Sequence, residues 1–277
     1  MINNRDMKKC TAIIFYSALF LLFSCTWSKK ENAPQVSTVE KSPITTDTIK
    51  IYEDYTFAYD KANAPRLTID ITLPRVDLGS EQANARLDST LVWGLFFYSF
   101  PTLQDACNFQ IASRKEIFNE LKSEYHNLKE SGIPPGMMGC YCNIKGRTVS
   151  GYNGYISYIM TQEEYYGGAH PTTFTTIANF DSKTGTEINL SDIFKEGYEE
   201  ILCTKLIDKL LEDNDASTIE ELCQKGYTLD IDFFITNNFI LGQDSITFLY
   251  NRYEIAPYAM GDILISLDYT TLKEIMK

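Results

Sequence analysis

Histidines, cysteines and paired carboxylates are the side chains here with catalytic or metal-binding chemistry to offer. The 277-residue chain has two histidines, His126 and His170, which excludes a three-histidine metal site. His170 stands in Tyr165-Tyr-Gly-Gly-Ala-His-Pro171. The Gly167-Gly168 pair allows backbone conformations barred to other residues, and Pro171 fixes φ after the histidine. That pattern reads as a strand-to-strand turn carrying a hydrogen-bonded histidine. The sharper reading makes His170 a general base or a ligand. A base would need a nucleophile and an orienting acid. Ser157, Thr172 and Asp192 have no fixed place in the sequence, and no Gly-x-Ser-x-Gly elbow is present. Glu163-Glu164 has the composition of a glycosidase acid/base pair. Adjacent residues on a strand point to opposite faces, however, so the pair reads as surface charge. Asp181-Ser-Lys-Thr-Gly-Thr-Glu187 resembles a calcium loop, but Lys183 holds a position that should be Asp or Asn, so a hairpin turn is expected. No catalytic residue, metal site or cofactor is expected from these groups.

Of seven cysteines, five lie beyond residue 100: Cys107, Cys140, Cys142, Cys203 and Cys223. Cys140-Tyr-Cys142 is too tight for a zinc knuckle and lacks a second pair. The five read as small buried hydrophobes, with one bridge open to them; Cys203 and Cys223, on adjacent expected helices, are placed to form it. Tyrosine numbers 18, five of them in 152–166. Phenol rings stack on sugar faces and suit interfaces, although most are expected in strands and core.

These residues must be held by sheet and helix. Alternating apolar residues predict half-buried strands over 49–59 and 66–74, the second through Leu67, Ile69, Ile71 and Leu73. Ser80 is a candidate N-cap for a helix over about 81–98, with Leu87, Leu91 and Leu95 on one face. Ser113-Arg-Lys-Glu116 reads as a capping box that starts a second helix through Ile117, Phe118, Leu121, Tyr125 and Leu128. Ser131-Gly-Ile-Pro-Pro-Gly136 breaks the chain. Strand signals return over 143–161 and 172–180, with a tight turn at Asp181–Gly185. A helix follows with Phe194, Tyr198, Ile201, Leu202, Leu206 and Leu210 at the 3.6 period, then a short one over about 217–225. Strands are expected at about 231–236, 244–250 and 262–267, and a last helix at about 268–276. Runs of strands and runs of helices point to an α+β fold, two small modules with mainly antiparallel sheets packed against helices. The expected division is 48–145 and 146–277.

The N-terminus reads as an address. Arg5, Lys8 and Lys9 precede an uncharged run from Thr11 to Phe23, about 13 residues, too short for the ~20 that span a bilayer. It ends in Leu22-Phe-Ser-Cys25, which resembles a lipobox, with Phe23 bulkier than usual. Residues 1–24 are therefore expected to be a lipoprotein signal peptide, and Cys25 the site of lipid attachment. Polar residues 25–47 would be a flexible tether. Net charge is −12 and the pI about 4.7. Loss of residues 1–24 leaves 22 basic residues against 36 acidic ones, a net charge of −14. Such a chain repels phosphates, so no nucleic acid partner is expected.

Three segments together carry a resemblance: Tyr165–Pro171; Asn179-Phe-Asp-Ser-Lys-Thr-Gly185 followed by Leu190-Ser-Asp-Ile-Phe194; and Tyr253-Glu-Ile-Ala-Pro-Tyr-Ala-Met-Gly261. In this order and spacing they resemble an envelope domain of unknown function found in bacterial lipoproteins. The same domain occurs in a lysozyme-sensing membrane anti-sigma factor and beside the catalytic domain of some peptidoglycan deacetylases. The resemblance covers about 150–270, and residues 47–150 are more weakly similar to the module that usually precedes it. It implies a non-catalytic α+β module outside the cytoplasm, bound to a membrane through lipidated Cys25, periplasmic or surface-exposed. The ligand it implies is a lysozyme-like protein or peptidoglycan. The acidic charge fits a basic protein partner. Glu163, Glu164, Tyr165, Tyr166, His170, Tyr253 and Tyr258 are the expected contact residues. The competing readings are a wall hydrolase or deacetylase using His170, and a structural subunit of an envelope assembly.

Overall fold

The computed structural model describes residues 45–56, 65–132, 139–229 and 233–277. The signal segment, Cys25 and most of the expected tether lie outside the described residues. β-branched alternation builds the first hairpin: β1 (Thr45–Thr56) pairs antiparallel with β2 (Arg66–Val76), with Ile51 opposite Ile71. β1 begins inside the stretch read as tether, because Thr45 already finds a partner in Val76. Leu67, Ile69, Ile71 and Leu73 are all buried on one face, against the helices that follow.

Those helices are α1 (Glu81–Phe96) and α2 (Leu103–Glu130). Ser80 Oγ accepts from the Ala83 N–H at 3.1 Å, the expected cap. α2 starts eleven residues earlier than the Ser113 box implies. Thr102 caps it, accepting from the Asp105 N–H at 3.2 Å and donating to the Asp105 carboxylate at 2.7 Å. No glycine or proline lies between there and Glu130. Ala106, Cys107, Ile111 and Phe118 continue the buried stripe through it.

Two parallel strands need a long crossover, and α1 and α2 supply it. β3 (Cys140–Ser150) returns parallel to β2, with Leu67 opposite Cys140. β4 (Tyr155–Tyr165) and β5 (Thr172–Asp181) complete a sheet of order β1-β2-β3-β4-β5. This sheet runs unbroken past residue 145: β3 pairs with both β2 and β4. The strands of 48–145 and the first two strands after it thus share one sheet.

The rest forms a smaller sheet with its own helices: α3 (Leu190–Ile193), α4 (Glu199–Asp213), α5 (Ile219–Gln224), β6 (Phe239–Leu241), β7 (Ser245–Tyr250), β8 (Ile263–Asp268) and α6 (Tyr269–Leu272). The helix expected from Phe194 is interrupted. Phe194 bridges to Met276, and Gly197 takes φ +79° before α4 begins. Leu202, Leu206 and Leu210 are buried as expected. Residues 233–236 are irregular, and β6 lies further on. None of the five described cysteines beyond residue 100 is in a disulfide, so the Cys203–Cys223 pairing is not formed. Among the described residues, no helix is long and apolar enough to cross a membrane.

The layers follow from period two. Even-numbered side chains of β4 and β5, such as Tyr158, Met160, Ala178 and Phe180, face α1 and α2. Odd-numbered ones, Ile159 and Ile177, pack on Leu249 of β7. The order is therefore α1/α2, five-stranded sheet, three-stranded sheet, α4/α5. The architecture is α+β, antiparallel but for the β2–β3 pair.

Candidate functional site

The β4–β5 hairpin presents different chemistry on its two faces. Its loop turns at Gly167 and Gly168, with φ of +102° and +108°, values that favour glycine. The Tyr165 hydroxyl donates to the Gly168 carbonyl at 2.9 Å and ties the loop down. His170 stands exposed at the loop's end, its ring stacked on Tyr258 at 3.8 Å between centroids and 19° between planes. In the neutral ring Nδ1–H donates to the Pro171 carbonyl at 3.0 Å, which leaves Nε2 as the acceptor. Nε2 faces the Tyr253 hydroxyl at 3.4 Å.

Arg252 underpins this stack. Its Nη1 donates to Thr173 Oγ1 at 2.9 Å and to the Tyr258 hydroxyl at 3.1 Å, and its guanidinium lies 4.6 Å from the centre of the Tyr258 ring. Arg252 Nε faces Asp262 Oδ1 at 3.7 Å, an ion pair longer than a hydrogen bond, and both atoms are buried without a hydrogen-bond partner. Burial raises the Asp262 pKa against the opposing pull of Arg252. Burial likewise raises that of Glu254; the hydrogen bonds from Asn251 pull it down, and the Asp262 charge pushes it further up. Alongside, Tyr141 stacks on Tyr165 at 5.9 Å; desolvation and the nearby Glu163 carboxylate raise its hydroxyl pKa.

The structure thus brings Glu163, Tyr165, His170, Tyr253 and Tyr258 to one face. Glu164 and Tyr166 are on the other, because adjacent strand residues alternate. The Glu164 carboxylate accepts from Arg114 of α2 (Nε at 2.8 Å, and also Nη2), from Gln162 Nε2 at 2.9 Å and from Cys142 Sγ at 3.4 Å. Burial first, then the Glu164 charge, pushes the Cys142 thiol up to about 12. The Tyr166 hydroxyl is buried with no hydrogen-bond partner, and burial raises its pKa as well.

The sequence reading missed Arg252, Thr173, Tyr141 and Asp262. Strand register reveals two of them, since Tyr141 lies opposite Tyr165 and Glu163 opposite Thr173, whereas Arg252 and Asp262 reach the face only through tertiary packing. Two of the groups considered as partners for His170, Ser157 and Asp192, are engaged elsewhere, and Thr172 is an exposed residue at the start of β5. Ser157 Oγ is buried, donating to Asn179 Oδ1 at 2.5 Å and accepting from the Leu241 N–H at 2.8 Å. Asp192 Oδ2 accepts from the Asn189 N–H at 2.8 Å in the capping box of α3. Among the described residues, no group of three His, Cys, Asp or Glu side chains is arranged to hold a metal ion. What the face offers is an open array of rings around the Arg252 guanidinium, with the carboxylates of Glu163, Glu254 and Asp262 near it.

Comparison with known proteins places this geometry. Residues 191–270, from α3 to α6, match the family described as "Protein of unknown function (DUF3298)". A crystal structure of a DUF3298 family member from Bacteroides fragilis superposes with a TM-score of 0.71 at 28% identity, covering 83% of this chain and 92% of that one. A DUF3298 family protein from Pseudomonas aeruginosa shares the fold, with a TM-score of 0.54 at 18% identity over 85% and 95% of the two chains. The chain is also 25% identical over 124 residues, 44% of its length, to the peptidoglycan-N-acetylmuramic acid deacetylase PdaC of Bacillus subtilis; that stretch spans only 26% of the deacetylase. Residues 191–270, which include Tyr253 and Tyr258 of this face, are thus similar to the DUF3298 family.

Proposed function

We propose that the protein is a non-catalytic binding protein of the bacterial cell envelope, associated with peptidoglycan and held to a membrane through a lipidated Cys25. One observation carries the non-catalytic reading. His170 is exposed, stacked on Tyr258, and its two ring nitrogens face the Pro171 carbonyl and the Tyr253 hydroxyl, so no serine, threonine or cysteine and no carboxylate is hydrogen-bonded to it. A triad needs both within hydrogen-bond reach. The open face of Tyr141, Tyr165, Tyr253 and Tyr258 suits binding better than turnover, which favours an enclosed pocket. The similarity to a peptidoglycan deacetylase over 26% of its length supports a ligand in the wall.

The test is cosedimentation of the full chain with purified peptidoglycan sacculi. Wild-type protein is expected in the pellet, and Tyr258→Ala, which dissolves the stack with His170 and Arg252, is expected to bind several-fold more weakly. Release of acetate or sugar fragments that disappears in a folded His170→Ala variant would make the protein an enzyme and sink the proposal.

The net charge of −12 favours a second reading, in which a basic, lysozyme-like protein meets the Glu163 side of this face. Association would then slow strongly with salt, since exposed charges are screened over about 8 Å at physiological ionic strength. Salt-independent retention on sacculi, with no capture of lysozyme at low salt, would leave peptidoglycan as the ligand.

A further inference from the structure

The opposite face of the same hairpin holds an unusual concentration of exposed rings. Trp93, Phe97, Tyr98, Phe109 and Phe174 are 58, 63, 50, 39 and 42% exposed. Tyr98, Phe100 and Phe109 form one aromatic cluster, with centroids 5.1–6.0 Å apart. The close approach of α1 to β5 sets them there: a Cβ on Gly94 would come within 2.9 Å of the Ala178 Cβ. Phe97 then ends α1 at φ +56°, ψ +28°, its N–H donating to the Trp93 carbonyl at 3.0 Å. Bulky residues rarely adopt that left-handed conformation, and such strain clusters at functional sites.

Two clefts, of about 300 and 390 Å³, are both lined by Phe97 and Thr176. Gln110 lines the first. It is 6% exposed, and its amide oxygen is buried without a hydrogen-bond partner. The Gln162 amide and the Arg114 guanidinium also line this cleft. Trp93 lines the second, together with Asn237 and with Asn238, whose amide is committed to the backbone of β5.

We infer that these clefts form one glycan-binding groove, distinct from the His170 face, whose ligand is an N-acetylated sugar chain; the identity of the sugar rests on the peptidoglycan reading above. A pyranose has an apolar C–H face and a polar rim. Exposed rings receive the first, and side-chain amides receive the second. A wholly apolar occupant, such as an acyl chain, would leave the Gln110 carbonyl unsatisfied, at a cost. An anionic occupant is disfavoured, because the Arg114 charge is already met by Glu164. Rotation of the Gln110 amide into the cleft would let an acetamido N–H or a sugar hydroxyl donate to the oxygen that is otherwise buried without a partner. Two clefts joined at Phe97 suit consecutive rings of a chain.

The full chain has two tryptophans, Trp27 and Trp93, so Trp27→Phe leaves Trp93 as the only indole reporter. In that background, titration with the tetramer of N-acetylglucosamine is expected to give a saturable change in fluorescence. Phe97→Gly places at the helix end the residue best suited to its backbone, so the variant is expected to melt no lower than its parent. It is nevertheless expected to bind the sugar at least about tenfold more weakly, because it lacks the ring. Gln110→Leu is expected to weaken binding as well. An unchanged titration in Phe97→Gly, no response at millimolar sugar, or a response to a fatty acid in place of the sugar would each overturn the groove. If wild type and Phe97→Gly then cosediment equally with sacculi, the groove falls while the peptidoglycan reading stands. Failure of the wild type to bind sacculi at all removes both.

Discussion

Arg252 connects most of what is exposed around His170. One guanidinium hydrogen-bonds Thr173 of β5, reaches the Tyr258 hydroxyl and stacks on the ring that carries His170. Its remaining side faces Asp262, which lies close enough to Glu254 for the two charges to interact. Both carboxyls hold their protons above the ordinary values of 3.8 and 4.5. The sign follows from linkage: a carboxyl whose folded pKa is raised binds more protons folded than unfolded. Its favourable contribution is complete below the unfolded pKa and is lost as pH rises through the folded one. Glu254→Gln should therefore match wild type in melting temperature near pH 4 and exceed it increasingly as pH climbs to 7. The Gln oxygen would still accept from the Asn251 N–H, which Glu254 binds at 2.8 Å. Thermal melts across that range check this; a difference that shrinks with rising pH would refute it. At this scale the sequence disclosed His170, Tyr253 and Tyr258 by their motif. Arg252 was not legible, because its partners are 79 and 6 residues away and meet it only through packing.

Among the elements, β5 poses the sharpest problem: one edge pairs with β4, and the other needs cover. Side-chain amides from the second sheet provide part of it. Asn251 Oδ1 accepts from the Thr175 N–H at 2.7 Å, and Asn251 Nδ2 donates to the Thr175 carbonyl at 3.0 Å. Asn238 accepts from the Ile177 N–H at 3.1 Å and also donates to the Thr175 carbonyl at 3.1 Å. These amides act as a substitute strand and fasten the two sheets together. In Asn251→Ala the Thr175 carbonyl keeps Asn238, but its buried N–H loses its partner, which costs about 1–3 kcal/mol. Chemical denaturation should show a loss of that size, with the same fold retained. No change would mean water replaces the amide. Helix starts were legible in part: Ser80 marks α1, whereas the Ser113 box proved internal to α2. A capping sequence only permits an N-terminus; the chain stays helical where the buried stripe continues through it, as Ala106, Cys107, Ile111 and Phe118 do.

At the level of the whole molecule, the two sides of one hairpin differ in chemistry: an acidic, tyrosine-rich face on one side and exposed aromatic rings on the other. The proposed membrane anchor is tested at the N-terminus. A thioether-linked lipid needs the Cys25 thiol, so Cys25→Ala is expected to abolish incorporation of labelled fatty acid and to leave an unprocessed precursor. Equal labelling of the variant would sink the anchor. The local facts came from the sequence alone. Alternation marked β1, β2 and β4, β-rich composition marked β5, the 3.6 period marked α1 and α4, and glycines with turn residues marked the turns, because these signals arise from neighbours along the chain. Tertiary structure alone decided the rest. Period two assigns residues to two faces but does not say which face meets which layer. So Glu163 and Glu164 could be separated from sequence, but their surroundings, a tyrosine cluster for one and Arg114 for the other, depended on the register of β3 against β4 and on where α2 crosses the sheet.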